Sequence, residues 1–439
     1  RLDDCFRLLA GGSRAALPHH QTLRAAMDWS HDLLGKRERV LFRRLAVFAG
    51  GWSLEAAGRL CPGDELPQSD LLDALAHLVD RSLVLAERAG GVARYRFLNT
   101  VRQYAHERLE EAGEAAEAAD RHLEYYLQLA EEVEPDLTGP RFAEGIARLE
   151  TEHENLRAAL SHCAASGECG EQGLRLCVAL LRFWDAHGPL SEGREALASA
   201  LSRAGEDTPA VLLATAWTAA GTLAYRQTDL EAAKVHLEAS LALRDRLGGS
   251  VEIAEALRWL GNVRHMLGDR DAALSSLEEG LALSRRLGDD RGIANALSSL
   301  GALHWRENDL RGARPFLEES LDLRRRIGEP RTLAQALANL GILAYTEEDL
   351  DTARTLLREA LENLLRIGAK QDFPQVLTHL GTVAALSGKA RLGTVLSAAA
   401  DVHFTAHGVG EEPGAMSYRD RAWVRLEGKL TPEEFEAAW

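Results

Sequence analysis

The chain has 439 residues, 46% of them hydrophobic, and a formal charge of −16. This length exceeds a single hydrophobic core and predicts two or three domains, while the apolar fraction excludes a disordered chain. The acidity opposes nucleic acid as the main partner, and no run of about 18 apolar residues is present to cross a membrane. Five cysteines without a CxxC pair fit a reduced, cytoplasmic chain whose thiols fill cores.

The first readable unit spans residues 19–110. HQTLRAAMDWSHDLLGKRERVLFRRLAVFAGGWSLEAAGRLC (20–61) predicts two or three short helices. DLLDALAHLVDRSLVLAERAGGVARYRFL (70–98) predicts a helix and then a hairpin, because Leu83-Val84-Leu85 and Tyr95-Arg96-Phe97 alternate around the turn signal Gly90-Gly91. Helices followed by a two-stranded wing make a winged helix. Its 13 Lys/Arg and 12 Asp/Glu nearly cancel. The helix at 70–81 carries Asp70, Asp73 and Asp80 against Arg81, where DNA reading needs a basic helix, so direct DNA contact is disfavoured. Lys36, Arg37, Arg39, Arg43 and Arg44 form the basic patch and read as a solvated helix face.

Residues 99–133 return to helix, with a break near Gly113, and 111–213 form a helical connector with divergent repeat copies. From 214 to 369 a period of 40 residues governs the chain. Gly221, Gly261, Gly301, Gly341 and Gly381 mark it, as do Asp229, Asp269, Asp309 and Asp349, and Ala233, Ala273, Ala313 and Ala353. Leu237 and Leu241 begin two further series with the same step. Such a period means one supersecondary unit stacked on copies of itself. Apolar residues at i, i+4 and i+8 make each half a helix. The aspartates suit N-caps, and Gly248, Gly288, Gly328 and Gly368 suit left-handed C-caps. A decayed copy and a C-terminal cap occupy 370–439.

The large apolar residue, Gly, Ala and small residue of each copy, as in Leu260, Gly261, Ala273 and Gly280, resemble the tetratricopeptide repeat. The resemblance implies a mainly α fold in which the winged helix precedes a right-handed tetratricopeptide superhelix. Indexed on the repeat glycine, its channel would present Tyr225, Arg226, Arg258, Asn262, His265, Asn295, Trp305, Arg306, Gln335 and Tyr345. Cationic and polar groups mixed with aromatics suit a protein or peptide partner, an acidic tail or a small-molecule inducer. The alternative is that Trp305 and Tyr345 pad adjacent repeats while the arginines are solvated.

FRLLAGGSRAALPHHQTLRAAMDWSHDLL (6–34), LFRRLAVFAGGWSLEAA (41–57), YRFLNTVRQYAHERL (95–109) and LETEHENLRAAL (149–160) resemble the bacterial signal-transduction ATPases of the NB-ARC/AfsR type. In that family a nucleotide-binding module precedes the winged helix and the repeats, so residues 1–18 would be the tail of a module lying upstream. The implied role is the regulatory, signal-sensing arm of a transcriptional regulator. The alternatives are a stand-alone peptide-binding scaffold and, last, a DNA-binding winged helix.

No GxxxxGK[ST] string is present to cradle phosphates, so the chain is expected to hold no ATP or ADP and to catalyse nothing; nucleotide would belong to the longer protein. The family's Met-His-Asp positions are occupied here by Phe97, Leu98 and Asn99, with Leu98 read as packing and Asn99 as a helix cap. No metal site is expected. His403 and His407 share a helix face without a third ligand, and Cys163, Cys169 and Cys177 lie in apolar helices without an adjacent base.

Overall fold

A computed structural model describes residues 18–89, 92–166, 169–186, 189–406 and 429–438. Residues 1–17, the Gly90-Gly91 turn and the His407 position lie outside the described residues, as does the side chain of His403. The chain divides into two compact units, one of residues 1–131 with 149–173, the other of residues 132–148 with 174–439.

In the first unit, helices α1 (Pro18–Asp32), α2 (Lys36–Arg44), α3 (Leu54–Leu60), α4 (Leu71–Asp80) and α5 (Asn99–Glu111) surround a small sheet. Strands β2 (Leu85–Ala89) and β3 (Val92–Arg96) form the expected antiparallel hairpin. A further strand, β1 (Trp52–Ser53), pairs with β3 through Trp52 and Tyr95, giving the order β1-β3-β2. Sequence pattern misses it because two residues carry no period. Ser53 then caps α3 by accepting the amide of Ala56 at 3.0 Å. Phe42, Phe48, Trp52 and Phe97 pack ring on ring at 5.1–5.4 Å between centroids and form the core. Gly113, left-handed at φ 74°, ends α5 as expected.

The packing and capping roles given to Leu98 and Asn99 need correction. Leu98 is 48% exposed and is itself the extended cap residue of α5, whereas Asn99 is already helical; Phe97 does the packing. The basic patch is a solvated face only at Lys36 and Arg37, which are exposed, and not at Arg43 and Arg44. Arg43 and Arg44 both grip Glu114 (2.5 and 2.9 Å), Arg37 pairs with Asp70, and Arg39 donates to the Asp32 carbonyl. Burial alone would raise the Glu114 carboxyl, but the two guanidinium groups outweigh it and hold it at about 2.

The second unit stacks helix pairs at the forty-residue step. They are Ala210–Arg226 with Leu230–Leu241, Val251–Met266 with Arg270–Leu287, Asp290–Arg306 with Leu310–Ile327, and Pro330–Thr346 with Leu350–Ile367. A divergent pair, Gly170–Ala186 and Leu190–Ser202, comes before them, and Phe373–Leu386 with Ala390–Ala406 follows. Each repeat aspartate caps its second helix, Asp309 accepting the amide of Gly312 at 2.9 Å. Gly288, Gly328 and Gly368 are left-handed C-caps at φ 67°, 78° and 68°. The repeat glycines admit close helix approach: a Cβ on Gly261 would stand 2.6 Å from Leu277 Cγ and 3.1 Å from the Ala273 carbonyl. The partner is therefore the leucine of the 237 series together with the backbone at the alanine.

Candidate functional site

The expected channel residues all lie on the first helix of each pair. Asp185 and Arg331 stand four helix pairs apart in sequence, yet each acts on the other's charge. Burial would raise the Asp185 carboxyl; Arg226 and Arg331 outweigh it and keep it below the usual carboxylate range. Arg226 reaches Asp185 at 2.5 Å, and Arg331 holds Asp372 through two bonds of 2.6 and 3.1 Å. The Arg331 guanidinium also lies 5.2 Å from the ring centroid of Phe142, which is fully buried within this unit. Ala143 follows it and packs against Gly368. Segment 132–148 thus shares the cationic wall with the repeats.

A second cluster centres on Arg258 and Arg324. Arg258 is 9% exposed, forks onto Glu255 and stacks 4.2 Å above the ring of Trp259, which itself meets Tyr225 at 5.4 Å. Arg324 is different. It is 5% exposed, donates at 2.9 Å to the neutral Oδ1 of Asn295, and its Nε has no hydrogen-bond partner. Burial, and then the charge of Arg258, pull it down to about 10, although Glu329 and Glu255 act in the opposite sense. A buried guanidinium without a hydrogen-bonded carboxylate is a costly arrangement that an incoming anion would relieve.

The other channel candidates form a ladder between successive repeats. Trp305 donates to Thr346 Oγ1 at 3.3 Å, Arg306 reaches Met266 Sδ at 3.1 Å, and the Tyr345 hydroxyl meets His379 Nδ1 at 3.1 Å. His265 lies half-buried near Arg306; burial and that charge lower its pKa. Asn262 is half-buried and Gln335 exposed. The structure therefore brings Arg258 and Asn295 together around Arg324, sets Arg226 apart with Asp185, and leaves Arg306 in the ladder. Sequence reasoning missed Asp185, Glu255, Arg324, Arg331, Asp372 and Phe142. One signal was available, since Arg291 and Arg331 share a repeat position.

A separate cleft of about 550 Å³ opens beside the stacked rings of Trp217 and His236, with Arg194 and Glu195 on its rim.

Residues 34–110 match the winged helix-turn-helix domain family, and 212–286, 252–326 and 292–366 match the tetratricopeptide repeat family. The chain joins a winged helix to tetratricopeptide repeats. A provisionally named HTH-type transcriptional regulator of Mycobacterium tuberculosis is 46% identical over 192 residues, covering 44% of this chain and 21% of that protein. The regulatory protein AfsR of Streptomyces coelicolor is 30% identical over 276 residues, covering 55% of this chain and 26% of that one. The chain thus spans about a fifth to a quarter of these relatives' length. Among solved structures, a signal-transduction ATPase with a tetratricopeptide repeat sensor from Pyrococcus horikoshii matches with a TM-score of 0.46 at 12% identity, over 98% of this chain and 68% of that one. A Rap protein complexed with competence and sporulation factor matches with a TM-score of 0.48 at 13% identity, over 74% and 89%. The winged helix-turn-helix match leaves DNA contact open to the first unit, against the expectation drawn from its charge. Among the described residues no helix is long and apolar enough to cross a membrane.

Proposed function

We propose that this chain is the sensing arm of a transcriptional regulator of the signal-transduction ATPase kind, and that its repeats take a peptide or partner segment carrying acidic groups. The supporting observation is Arg324, a buried guanidinium bonded to Asn295 instead of a carboxylate. A carboxylate or phosphate placed there gains two parallel charge-assisted bonds and relieves an unmet donor. Phe142 on Arg331 supplies the link to a switch: a ligand that rearranges the cationic wall also changes the seat of segment 132–148. Such coupling requires the ligand to favour one arrangement over the other. The nucleotide-binding module that this arm would govern belongs to the longer protein, and the chain by itself neither binds nor hydrolyses ATP. Screening a random peptide library against the purified chain tests the reading: selected peptides should be rich in Asp, Glu or phosphoresidues, and a neutral or basic consensus would sink it.

A second reading, DNA binding by the winged helix, is favoured by the domain match at residues 34–110. The outward residues of α4 are Leu72, Asp73, Ala76, His77 and Asp80, so contact would have to come from another element. Fluorescence anisotropy with duplex DNA across a salt series decides it, because phosphate contacts give affinity that falls steeply with salt.

A further inference from the structure

The first unit holds a mixed cluster of donor atoms that the sensing role does not use. Asp120 projects from helix Ala115–Val133, His162 and Cys163 end helix His153–Ala165, and Cys169 precedes helix Gly170–Ala186. One ligand atom each from Asp120, His162 and Cys169 lies within 4.8 Å of the others. His162 Nε2 meets Asp120 Oδ1 at 2.8 Å. Cys169 Sγ points at Ser166 Oγ, 3.6 Å away, and the Cys163 thiol is hydrogen-bonded to Cys169. Both cysteines are 6% exposed, whereas the Asp120 side chain is 64% exposed, so the cluster is dry on its sulfur side and open on its oxygen side.

For Cys169 the expectation of no adjacent base is corrected, since a ring nitrogen of His162 lies within 4.8 Å of its sulfur. The base comes from the same turn as Cys163, and Asp120 comes from a helix some forty residues earlier, a distance no CxxC pattern records. We propose that Asp120, His162, Cys163 and Cys169 form a binding site for a thiophilic divalent cation, Zn²⁺.

Zinc takes sulfur at about 2.3 Å and nitrogen or oxygen at about 2.0–2.2 Å, which sets ligand atoms roughly 3.3–3.8 Å apart around a tetrahedron. The nitrogen–oxygen edge at 2.8 Å is already close to that figure, and the ligand atoms of Asp120, His162 and Cys169 all lie within 4.8 Å of one another. In the metal-free chain a proton joins imidazole and carboxylate. The cation takes its place, and both thiols release their protons on coordination. Two sulfurs, one nitrogen and one oxygen favour zinc over magnesium or calcium, which prefer all-oxygen shells.

The test uses the whole chain, reduced and stripped with chelator, titrated with Co²⁺ as a spectroscopic stand-in. One equivalent should raise a thiolate-to-cobalt charge-transfer band in the near ultraviolet, which Zn²⁺ then abolishes. C169S should lose the band. D120N, a change at an exposed carboxylate, should weaken Co²⁺ binding at least tenfold while circular dichroism stays unchanged. No band in the wild-type chain, an undiminished band in C169S, or equal affinity in D120N would each overturn the site.

Discussion

Asn155 donates its Nδ2 hydrogen to the carbonyl of Gly51 at 2.9 Å, across 104 positions of sequence. Its Oδ1 accepts the amides of Ala49 (3.0 Å) and Gly50 (3.4 Å), and it also bonds Glu152, which Arg94 and Tyr126 hold in turn. The segments LFRRLAVFAGGW and LETEHENL thus meet in one buried polar network, with Arg94 of β3 as the third party. This turn delivers Trp52 into the core of the winged helix.

Asn155→Ala should therefore be severe. It removes the partner of two half-buried amides, while the Gly51 carbonyl keeps the Arg94 Nη2 donor at 2.9 Å, and each unmet group costs about 1–3 kcal/mol. Urea unfolding should report a loss of about 2–4 kcal/mol. A change below about 0.5 kcal/mol would mean that water satisfies the turn instead.

The first unit should also weaken with mild acid. Burial, with a contribution from the charge of His162, lowers His122 from 6.5 to about 4, although its bond with Asn155 acts the other way. The folded state therefore holds His122 neutral while the unfolded chain takes up a proton first. Stability is full above the unfolded value and declines as pH falls from 6.5 toward 4, by on the order of 3 kcal/mol in the limit. H122Q should flatten that part of a stability–pH curve; an unchanged slope would assign it to other groups.

Glycine substitutions should act in opposite directions at two repeat positions. Gly261→Ala gains roughly 1 kcal/mol of helix propensity but drives a Cβ into Leu277 and the Ala273 backbone. Overpacking of this kind costs about 1–3 kcal/mol, so the net effect should be destabilising. Ala273→Leu, at the fully buried crossing, should cost a similar amount. Thr228 is left-handed at φ 58°, a conformation that costs a β-branched residue about 1–2 kcal/mol. Thr228→Gly should therefore raise the midpoint of thermal unfolding. A drop would show that its side chain contributes more than its backbone strain.

Much of the repeat region was legible because periodicity repeats the same physical demand. Asp229, Asp269, Asp309 and Asp349 each cap a helix, and one correct reading serves four copies. The left-handed residue before each cap was hidden, since only Gly268 and Gly388 announce it; Thr228, Asn308 and Glu348 do not. The candidate site was less legible. Positions facing a channel follow from the repeat index, but ion partners do not. Asp185 meets Arg226 from a preceding divergent pair, and Arg324 reaches Asn295 from the second helix. Sequence spacing also treats every arginine as equal, whereas burial separates Arg324 from the exposed Arg306.

Calorimetry on Arg324 decides whether acidic peptides bind at this buried guanidinium. The best acidic peptide from a library would be titrated into the wild-type chain and into R324M, which keeps the apolar stem and removes the charge. R324M should bind the peptide at least tenfold more weakly, with an unfolding midpoint equal to or above wild type, because a poorly partnered buried cation has been removed. Equal affinities for the two proteins would place the ligand away from Arg324.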